Sequence, residues 1–337
     1  MREGIAGVRA LGGRRCSTTR PGRTWARRAR GIDCGAMARE RIQLGPGVPD
    51  LRALGVAEVG ELIDGDLERA MEIAGDGAGA LWRLPLPGTV GADGRRHEKP
   101  RGAGTGWMRL RRWSDGSWAE LLRARFTEPR SASLAERAWN VACHLRANGV
   151  GTPDLVAVGA RGGGLVSRRS FLMLRELDGF ETLERWLAQE ISLPSRRRGA
   201  IAIGSALGKV LRAGCVLPRL DARTLHLSIE PDVAACLAES GGEKRNRMPS
   251  VVVSALEDAR IDAAAPRRRA RELLRLLDAE ARRAAASSTD PVLRGRTLER
   301  LRLAAFLRAT RVAGLARAER RALFVELLGD AAGVRSS

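Results

Sequence analysis

The stretch Gly214-Cys-Val-Leu-Pro-Arg-Leu-Asp-Ala-Arg-Thr-Leu-His-Leu227 follows a helical apolar series and leads into residues that alternate as in a β-strand. It places Arg219, Asp221 and His226 among apolar neighbours. An aspartate and a histidine in one connecting segment are residue types that carry acid–base chemistry or hold a metal ion. A structural alternative stays open, in which Asp221 closes a turn and His226 simply alternates within the strand.

The segments before this stretch predict strands and one prominent helix. Residues 81–86 and 107–113 alternate apolar with polar or charged side chains, which predicts an antiparallel hairpin. Residues 156–158 and 170–174 predict two further strands. The sequence Ser133-Leu-Ala-Glu136 is a capping box, which predicts that a helix begins at this point.

Apolar residues at helical spacing predict the remaining elements, most of them in the second half of the chain. The predicted helices are 50–73, 183–187, 201–211, 273–277, 298–307 and 322–328. Strands followed by helices, with few alternations between them, are typical of an α+β protein. The sequence therefore predicts an α+β fold in two lobes.

The chain is strongly basic. Its 59 lysine and arginine residues exceed its 39 acidic residues, so the formal net charge is +20 in 337 residues. One interpretation is a compositional bias carried on solvated faces, and the other is an anionic partner such as phosphate, nucleic acid or acidic lipid. Five cysteines without metal-site spacing indicate neither a disulfide framework nor a zinc site. No apolar run is long enough to span a membrane, so we expect a cytoplasmic protein, with peripheral contact at the inner membrane as an alternative.

Composition also suggests domain boundaries. Residues 1–45 are rich in arginine and glycine without periodicity, which predicts a disordered extension, and Met37 is an alternative start. We expect an N-lobe at 46–177, a C-lobe at 178–330 and a short tail at 331–337.

Four segments together resemble the lipopolysaccharide kinase (Kdo/WaaP) family of the protein-kinase-like superfamily. They are residues 108–113, the Ser133 helix through 149–153, residues 168–177 into 183–186, and residues 211–214 into the quoted stretch. The resemblance implies a bilobal kinase-like fold, with a small β-rich N-lobe holding one main helix and a larger helical C-lobe. It also implies phosphorylation of lipopolysaccharide-core sugars, using ATP and magnesium, at the cytoplasmic face of the inner membrane.

The resemblance assigns nucleotide-binding positions residue by residue. The lysine that holds the nucleotide phosphates in kinases falls on Arg111, which keeps the charge but not the compact ammonium. The helix glutamate that orients this lysine falls on Ala138, and Glu136, two positions earlier, is already explained by the capping box. Glu176 and Leu177, which end the third segment, are further candidates for nucleotide contact.

The quoted stretch aligns with the kinase catalytic loop in two ways. Without gaps, the catalytic aspartate falls on Arg219 and the metal-binding asparagine or histidine on Thr224. After the next strand, the metal-binding aspartate then falls on Ala255. This register supplies no catalytic base.

A shift of two residues restores the chemistry. Asp221 then becomes the base, and His226 and, after a separate shift, Asp258 become the metal-side residues. We favour the ungapped register, because the alternative requires two separate shifts to recover one active site.

The sequence therefore predicts a lipopolysaccharide-kinase-like protein with degenerate motifs, a pseudokinase or weakly active homologue linked to glycolipid biosynthesis in a bacterial cell envelope. The first alternative is an active kinase that uses ATP and magnesium and phosphorylates a sugar hydroxyl. The second is a basic nucleic-acid-binding protein. Expected partners are a nucleotide and a lipid-linked sugar or anionic membrane surface; the oligomeric state is left open.

Overall fold

The computed structural model describes most of the chain from residue 40 to residue 333. The described residues are 40–46, 48–54, 56–65, 71–76, 79–85, 107–115, 133–162, 168–189, 191–228, 248–262 and 296–333, with single helical positions at 270, 275, 279 and 283. The predicted extension at 1–45 lies almost wholly outside them, and so does most of the predicted helix at 273–277.

A six-stranded antiparallel sheet forms the first part of the fold. Its strands are β1 (Glu40–Leu44), β2 (Met71–Asp76), β3 (Gly79–Pro85), β4 (Trp107–Asp115), β5 (Leu155–Arg161) and β6 (Arg168–Arg175). They lie in the order β1-β5-β6-β4-β3-β2, and the predicted pairing of β3 with β4 is confirmed. The other two predicted strands are β5 and β6, which pair with each other.

Alternation along β4 sends its side chains to the two faces of the sheet. Met108 and Leu110 are fully buried on the face that packs against residues 59–63, which we call the outer face. Arg112 lies on the same face and donates hydrogen bonds to the carbonyls of Leu62 and Glu61. These carbonyls belong to the short helix α1 (Val59–Ile63), so Arg112 binds the helix end that carries partial negative charge. Arg109, Arg111 and Trp113 therefore lie on the inner face.

Helix α2 (Leu134–Ala147) packs against the inner face of the sheet. The predicted capping box is present, because the Ser133 hydroxyl accepts from the Glu136 amide and the Glu136 carboxylate accepts from the Ser133 amide. Trp139 and Leu145 are buried and join one apolar core with Leu172 of the sheet. The same core extends into the helical half of the molecule.

The predicted helix at 50–73 is wrong. Its described residues instead include a 3-10 turn (Arg52–Leu54), the single-turn helix α1 and the first part of β2. Gly60 and Gly65 lower helix propensity within the segment, and Met71-Glu-Ile73 alternates as edge strands do. The apolar residues of this segment are nevertheless part of a hydrophobic core, because Leu54, Leu62 and Ile63 are buried against the outer face of the sheet.

The second half is mainly helical. The helices whose bounds the structure describes there are α3 (Leu183–Ala188), α4 (Leu193–Arg212), α5 (Arg296–Val312) and α6 (Arg317–Gly333). Between them lie the short strands β7 (Phe180–Thr182), β8 (Cys215–Val216), β9 (Leu225–Ser228), β10 (Val251–Val253) and β11 (Arg260–Ile261). β9 pairs with both β7 and β10, and β8 pairs with β11. The predicted α+β class is confirmed.

Glycines bring α4 and α5 into direct backbone contact. A Cβ atom added to Gly208 would lie 2.5 Å from the Ala309 carbonyl oxygen, and one added to Gly204 would meet the backbone of Ala305. Both glycines are therefore places where only a hydrogen atom fits between the two helices.

A buried arginine joins α3 to α4. Arg196, in the first turn of α4, is fully buried and donates hydrogen bonds to the carbonyls of Leu187, Gln189 and Ile191. These carbonyls lie at and just beyond the end of α3, where a cation is favourable. Among the helices of the described residues, none has the length and hydropathy needed to span a bilayer.

Candidate functional site

The segment that the sequence singled out joins α4 to β9 and is held by its apolar residues. Leu217, Leu220 and Ala222 are buried in the large core. The intervening Arg219 is exposed, and Asp221 is partly exposed. Burial of alternate residues therefore sets the direction in which the polar side chains of this loop point.

Arg111 and Arg219 converge on one carboxylate. Arg111 Nε lies 3.4 Å from Glu257 Oε1, and Arg219 Nη1 lies 3.4 Å from Glu257 Oε2. Arg219 Nε also donates a 2.8 Å hydrogen bond to Asp258 Oδ2. The strand β4, the loop after α4 and the segment after β10 thus meet in one ion-pair network, which we call the Arg–Glu–Arg network.

The side chains of this network differ in their exposure to solvent. The Arg111 side chain is 11% exposed, whereas Glu257 is 33% exposed and Arg219 is 51% exposed. Arg111 also lies over the ring of Trp113, with 5.9 Å from its guanidinium carbon to the ring centroid. The guanidinium on β4 is therefore held by its surroundings, while the one on the loop reaches solvent.

The segment after β10 supplies both acids through an unusual backbone turn. Asp258 has φ +57°, in the left-handed region that residues with a Cβ rarely adopt. Ala255, the ungapped position of the metal-binding aspartate, is buried and has no polar side chain. Sequence reasoning missed Glu257; the only available signal was the adjacent pair Glu257-Asp258 after an apolar strand.

The carboxylate of Asp221 is used within its own loop. Its Oδ1 accepts hydrogen bonds from the amides of Arg223 (2.9 Å) and Thr224 (2.8 Å) and lies 3.0 Å from the Thr224 hydroxyl. The Thr224 hydroxyl also lies 3.2 Å from the Arg219 carbonyl. This is the side-chain pattern of an Asx turn, which closes a loop without a ligand.

His226 lies in β9 and is only 8% exposed. Its Nε2 is 2.9 Å from the hydroxyl of Ser254, which itself donates to the Thr224 carbonyl, so Nε2–H is the donor to Ser254. The pKa of His226 is lowered to about 4, mainly by burial and in part by the nearby Arg109, while Asp221 opposes the shift. His226 is therefore neutral at physiological pH. Sequence reasoning did not identify Ser254 as its partner.

The candidate nucleotide-contacting residues lie in two places. Glu136 is engaged in the capping box of α2, and Ala138 is buried in the same helix. Glu176 follows β6 and binds Arg83 at 2.7 Å and Arg109 at 3.3 Å. Leu177, the next residue, is partly buried. Their contact with a nucleotide stays a prediction.

The side chains at this site do not fit a magnesium ion. Magnesium in phosphoryl-transfer sites is held by one or two carboxylates with additional oxygen ligands. Here the carboxylates of Asp258 and Glu257 are paired with arginines, that of Asp221 closes a turn, and His226 binds Ser254. Among the described residues, no three His, Cys, Asp or Glu side chains form a group that could hold a metal ion.

Comparison with known proteins supports the resemblance seen in the sequence. Residues 86–224 match the model of the lipopolysaccharide kinase (Kdo/WaaP) family, a range that includes β4, α2, α4 and the loop that follows α4. No curated protein matches the chain significantly.

Two solved structures were matched to this chain. The structure "WaaP in complex with acyl carrier protein" is 18% identical, with a TM-score of 0.50, and the match covers 88% of this chain and 95% of that one. The Mycobacterium tuberculosis PknI kinase domain is 14% identical, with a TM-score of 0.38, over 80% of this chain and 92% of that one. The expectation is therefore confirmed: the chain has a bilobal protein-kinase-like fold and is similar, across residues 86–224, to the lipopolysaccharide kinase (Kdo/WaaP) family.

Proposed function

We propose that this lipopolysaccharide-kinase-like protein has lost most or all phosphotransfer activity and acts as a binding or regulatory component in cell-envelope glycolipid biosynthesis. The observation that carries the proposal is the Arg–Glu–Arg network, in which Glu257 lies between Arg111 and Arg219. The network thus ties up the two residues that the family resemblance aligns with the phosphate-binding lysine, Arg111, and with the catalytic base, Arg219.

The ungapped register places a cation where a proton acceptor is required. Phosphoryl transfer depends on orienting the acceptor hydroxyl and neutralising charge on the transferred group. A guanidinium stays protonated at all accessible pH values, so Arg219 accepts no proton from a sugar hydroxyl. Arg219 is suited instead to binding an anion.

The shifted register offers Asp221, but its carboxylate has other partners. Two amides and one hydroxyl surround Oδ1, and all of them stabilise the loop. A carboxylate whose Oδ1 is held by its own loop in this way is not positioned to accept a proton from an acceptor hydroxyl. These contacts favour the inactive alternative over the active kinase.

The deciding experiment is a phosphotransfer assay with labelled ATP, magnesium and a lipopolysaccharide-core acceptor. We expect no acceptor phosphorylation above that of the Asp221→Ala variant. Phosphorylation of the acceptor that disappears in Asp221→Ala would overturn the proposal and establish the active alternative. In that case a magnesium-dependent rise in melting temperature with ATP would accompany it, because a ligand of the folded state stabilises that state.

The proposed partners follow from charge and resemblance. A net charge of +20 suits an anionic surface, and a cytoplasmic location at the inner membrane would bring such a surface within reach. ATP is proposed as a ligand of the active alternative, together with magnesium. The related WaaP structure contains acyl carrier protein, which makes a protein partner a further candidate.

A further inference from the structure

One side of α5 faces solvent and carries two leucines. The opposite side packs on α4, where the backbone of Ala305 and Ala309 lies against the α4 glycines. Leu303 and Leu307 lie one turn apart on the solvent side, because successive residues of a helix are rotated by about 100°. Each of these leucines is 37% exposed. Among the described residues, they are the only two large exposed apolar side chains that share a helix.

Two arginines flank the leucines on the same side of the helix. Arg300 precedes Leu303 by three residues and Arg311 follows Leu307 by four, which are the spacings of one helix face. Both arginines are exposed, and neither has an ion-pair partner among the residues that the structure describes. We call Arg300, Leu303, Leu307 and Arg311 the α5 stripe, which extends for about 16 Å along the helix. It contains no acidic residue.

The composition of the α5 stripe matches that of a helix that lies at a membrane surface. Such helices place apolar side chains at the boundary between headgroups and acyl chains, and arginines beside the lipid phosphates. The long side chains of Arg300 and Arg311 can reach the headgroups while the leucines between them are inserted. The net charge of +20 adds long-range attraction to an anionic surface. Charge and apolar contact therefore act together at this face.

Charge argues against a second copy of the chain as the occupant of the α5 stripe. In a symmetric dimer a patch meets itself, so the arginines of one copy would approach those of the other. Such juxtaposition of like charges is costly, and the net charge of +20 adds to the repulsion. An acidic protein would remove this repulsion, but a stable protein interface covers about 800 Å² on each side around a well-packed apolar centre. A bilayer needs no such match of shapes, so it suits two leucines flanked by arginines better.

We infer that the α5 stripe docks this protein on an anionic lipid bilayer. Leu303 and Leu307 enter the boundary between headgroups and acyl chains, and Arg300 and Arg311 bind headgroup phosphates. The inference rests on the proposed function, because it names the residues that meet the anionic surface proposed there as a partner. It does not depend on the Arg–Glu–Arg network.

The test is flotation of the full chain with vesicles of phosphatidylcholine, with and without phosphatidylglycerol. We expect binding to the vesicles that contain phosphatidylglycerol and none to phosphatidylcholine alone. Leu303→Gln/Leu307→Gln leaves the net charge unchanged and should weaken binding about tenfold, because the exposed 37% of each leucine is what the bilayer buries. Arg300→Gln and Arg311→Gln should each weaken binding about fivefold.

Matched controls come from the start of α4. Leu193 and Arg197 are exposed there and repeat the spacing of Leu307 and Arg311. Leu193→Gln and Arg197→Gln make the same changes of polarity and charge outside the α5 stripe and should leave binding unchanged. The other cations of the chain contribute to the binding of every variant alike, so the comparison isolates the stripe. Thermal unfolding shows whether each variant is folded.

Three results would overturn the inference: no binding to vesicles that contain phosphatidylglycerol, equal binding to both kinds of vesicle, or equal weakening by stripe and control variants. The first of these would leave an acidic protein as the occupant. A dimer in light scattering that Leu303→Gln/Leu307→Gln dissociates would identify a second copy as the occupant and overturn the inference as well. Should the double leucine variant fail to fold, the variants of Arg300 and Arg311 still decide the question. No phosphotransfer enters this readout, so the inference and the proposed loss of activity fail independently.

Discussion

The carboxylate of Asp221 would face an acceptor hydroxyl if it were a catalytic base, whereas in the structure it binds the backbone of its own turn. Three hydrogen bonds within the loop indicate that Asp221→Ala lowers the free energy of unfolding by about 1–2 kcal/mol. Asp221→Asn keeps an acceptor oxygen and should lose less than half of this. Urea unfolding measures both, with the exposed Asp178→Ala as control. Equal stability of Asp221→Ala and the wild type would show that the turn does not depend on this side chain.

His226 gives a pH dependence with a definite sign. Its pKa is about 4 in the folded protein, against an ordinary value of 6.5, so the unfolded chain binds a proton first as pH falls. The stabilising contribution is complete above pH 6.5 and is lost as pH falls from about 6.5 to about 4. Allowing for solvent screening, we expect a loss of about 2 kcal/mol.

The matched variant for this test is His226→Gln, which keeps a donor for Ser254 but does not titrate. Subtracting its pH profile removes the contribution of the carboxylates, which also weaken the fold in acid. Denaturant unfolding at pH 7, 5.5 and 4 measures the difference. Parallel profiles for the two proteins would contradict the burial of a neutral histidine.

The sequence predicted some residues of the candidate site, and the structure identified the others as their neighbours in space. The sequence drew attention to Arg111, Arg219 and Asp258, and the structure brings these three together. Glu257 escaped notice because no motif position required an acid there. Pairing across three separate segments is a tertiary property that local pattern does not encode.

At the scale of elements, α4 and α5 approach each other so closely that a methyl group added at their contact would clash with the opposite backbone. Helix propensity alone predicts that Gly204→Ala and Gly208→Ala stabilise α4 by about 1 kcal/mol each. The backbone of α5 stands where each new methyl group would lie, so overpacking should dominate, with a net loss of about 1–2 kcal/mol per variant. Thermal unfolding, with the exposed Arg197→Ala as control, decides between a gain and a loss.

Elements with strong local signals were predicted well. The capping box fixed the start of α2, and alternation identified β3 to β6. The segment 50–73 was predicted as a helix because its apolar spacing fits one. Its glycines disfavour a long helix, and its last residues instead belong to the edge strand β2. The two-residue strands β8 and β11 are too short to leave a periodic pattern.

For the molecule as a whole, the net charge of +20 makes electrostatic repulsion the dominant long-range interaction. Repulsion among these charges destabilises the folded state, and added salt screens it. Salt also weakens the exposed ion pairs, but each of these contributes little to stability. We therefore expect the melting temperature to rise by about 2–4 °C between low and physiological ionic strength. Chloride and acetate salts should act equally, and a fall in melting temperature would contradict this balance.

The left-handed turn at Asp258 has a consequence for how this protein can change over time. Glycine is the residue most at ease at φ +57°, and an aspartate there is less favourable by about 1 kcal/mol. Replacement by glycine would relieve the backbone and at the same time remove the 2.8 Å hydrogen bond from Arg219 to the carboxylate of Asp258. Asp258 therefore keeps a negative charge beside Arg219 at the cost of a less favourable backbone conformation.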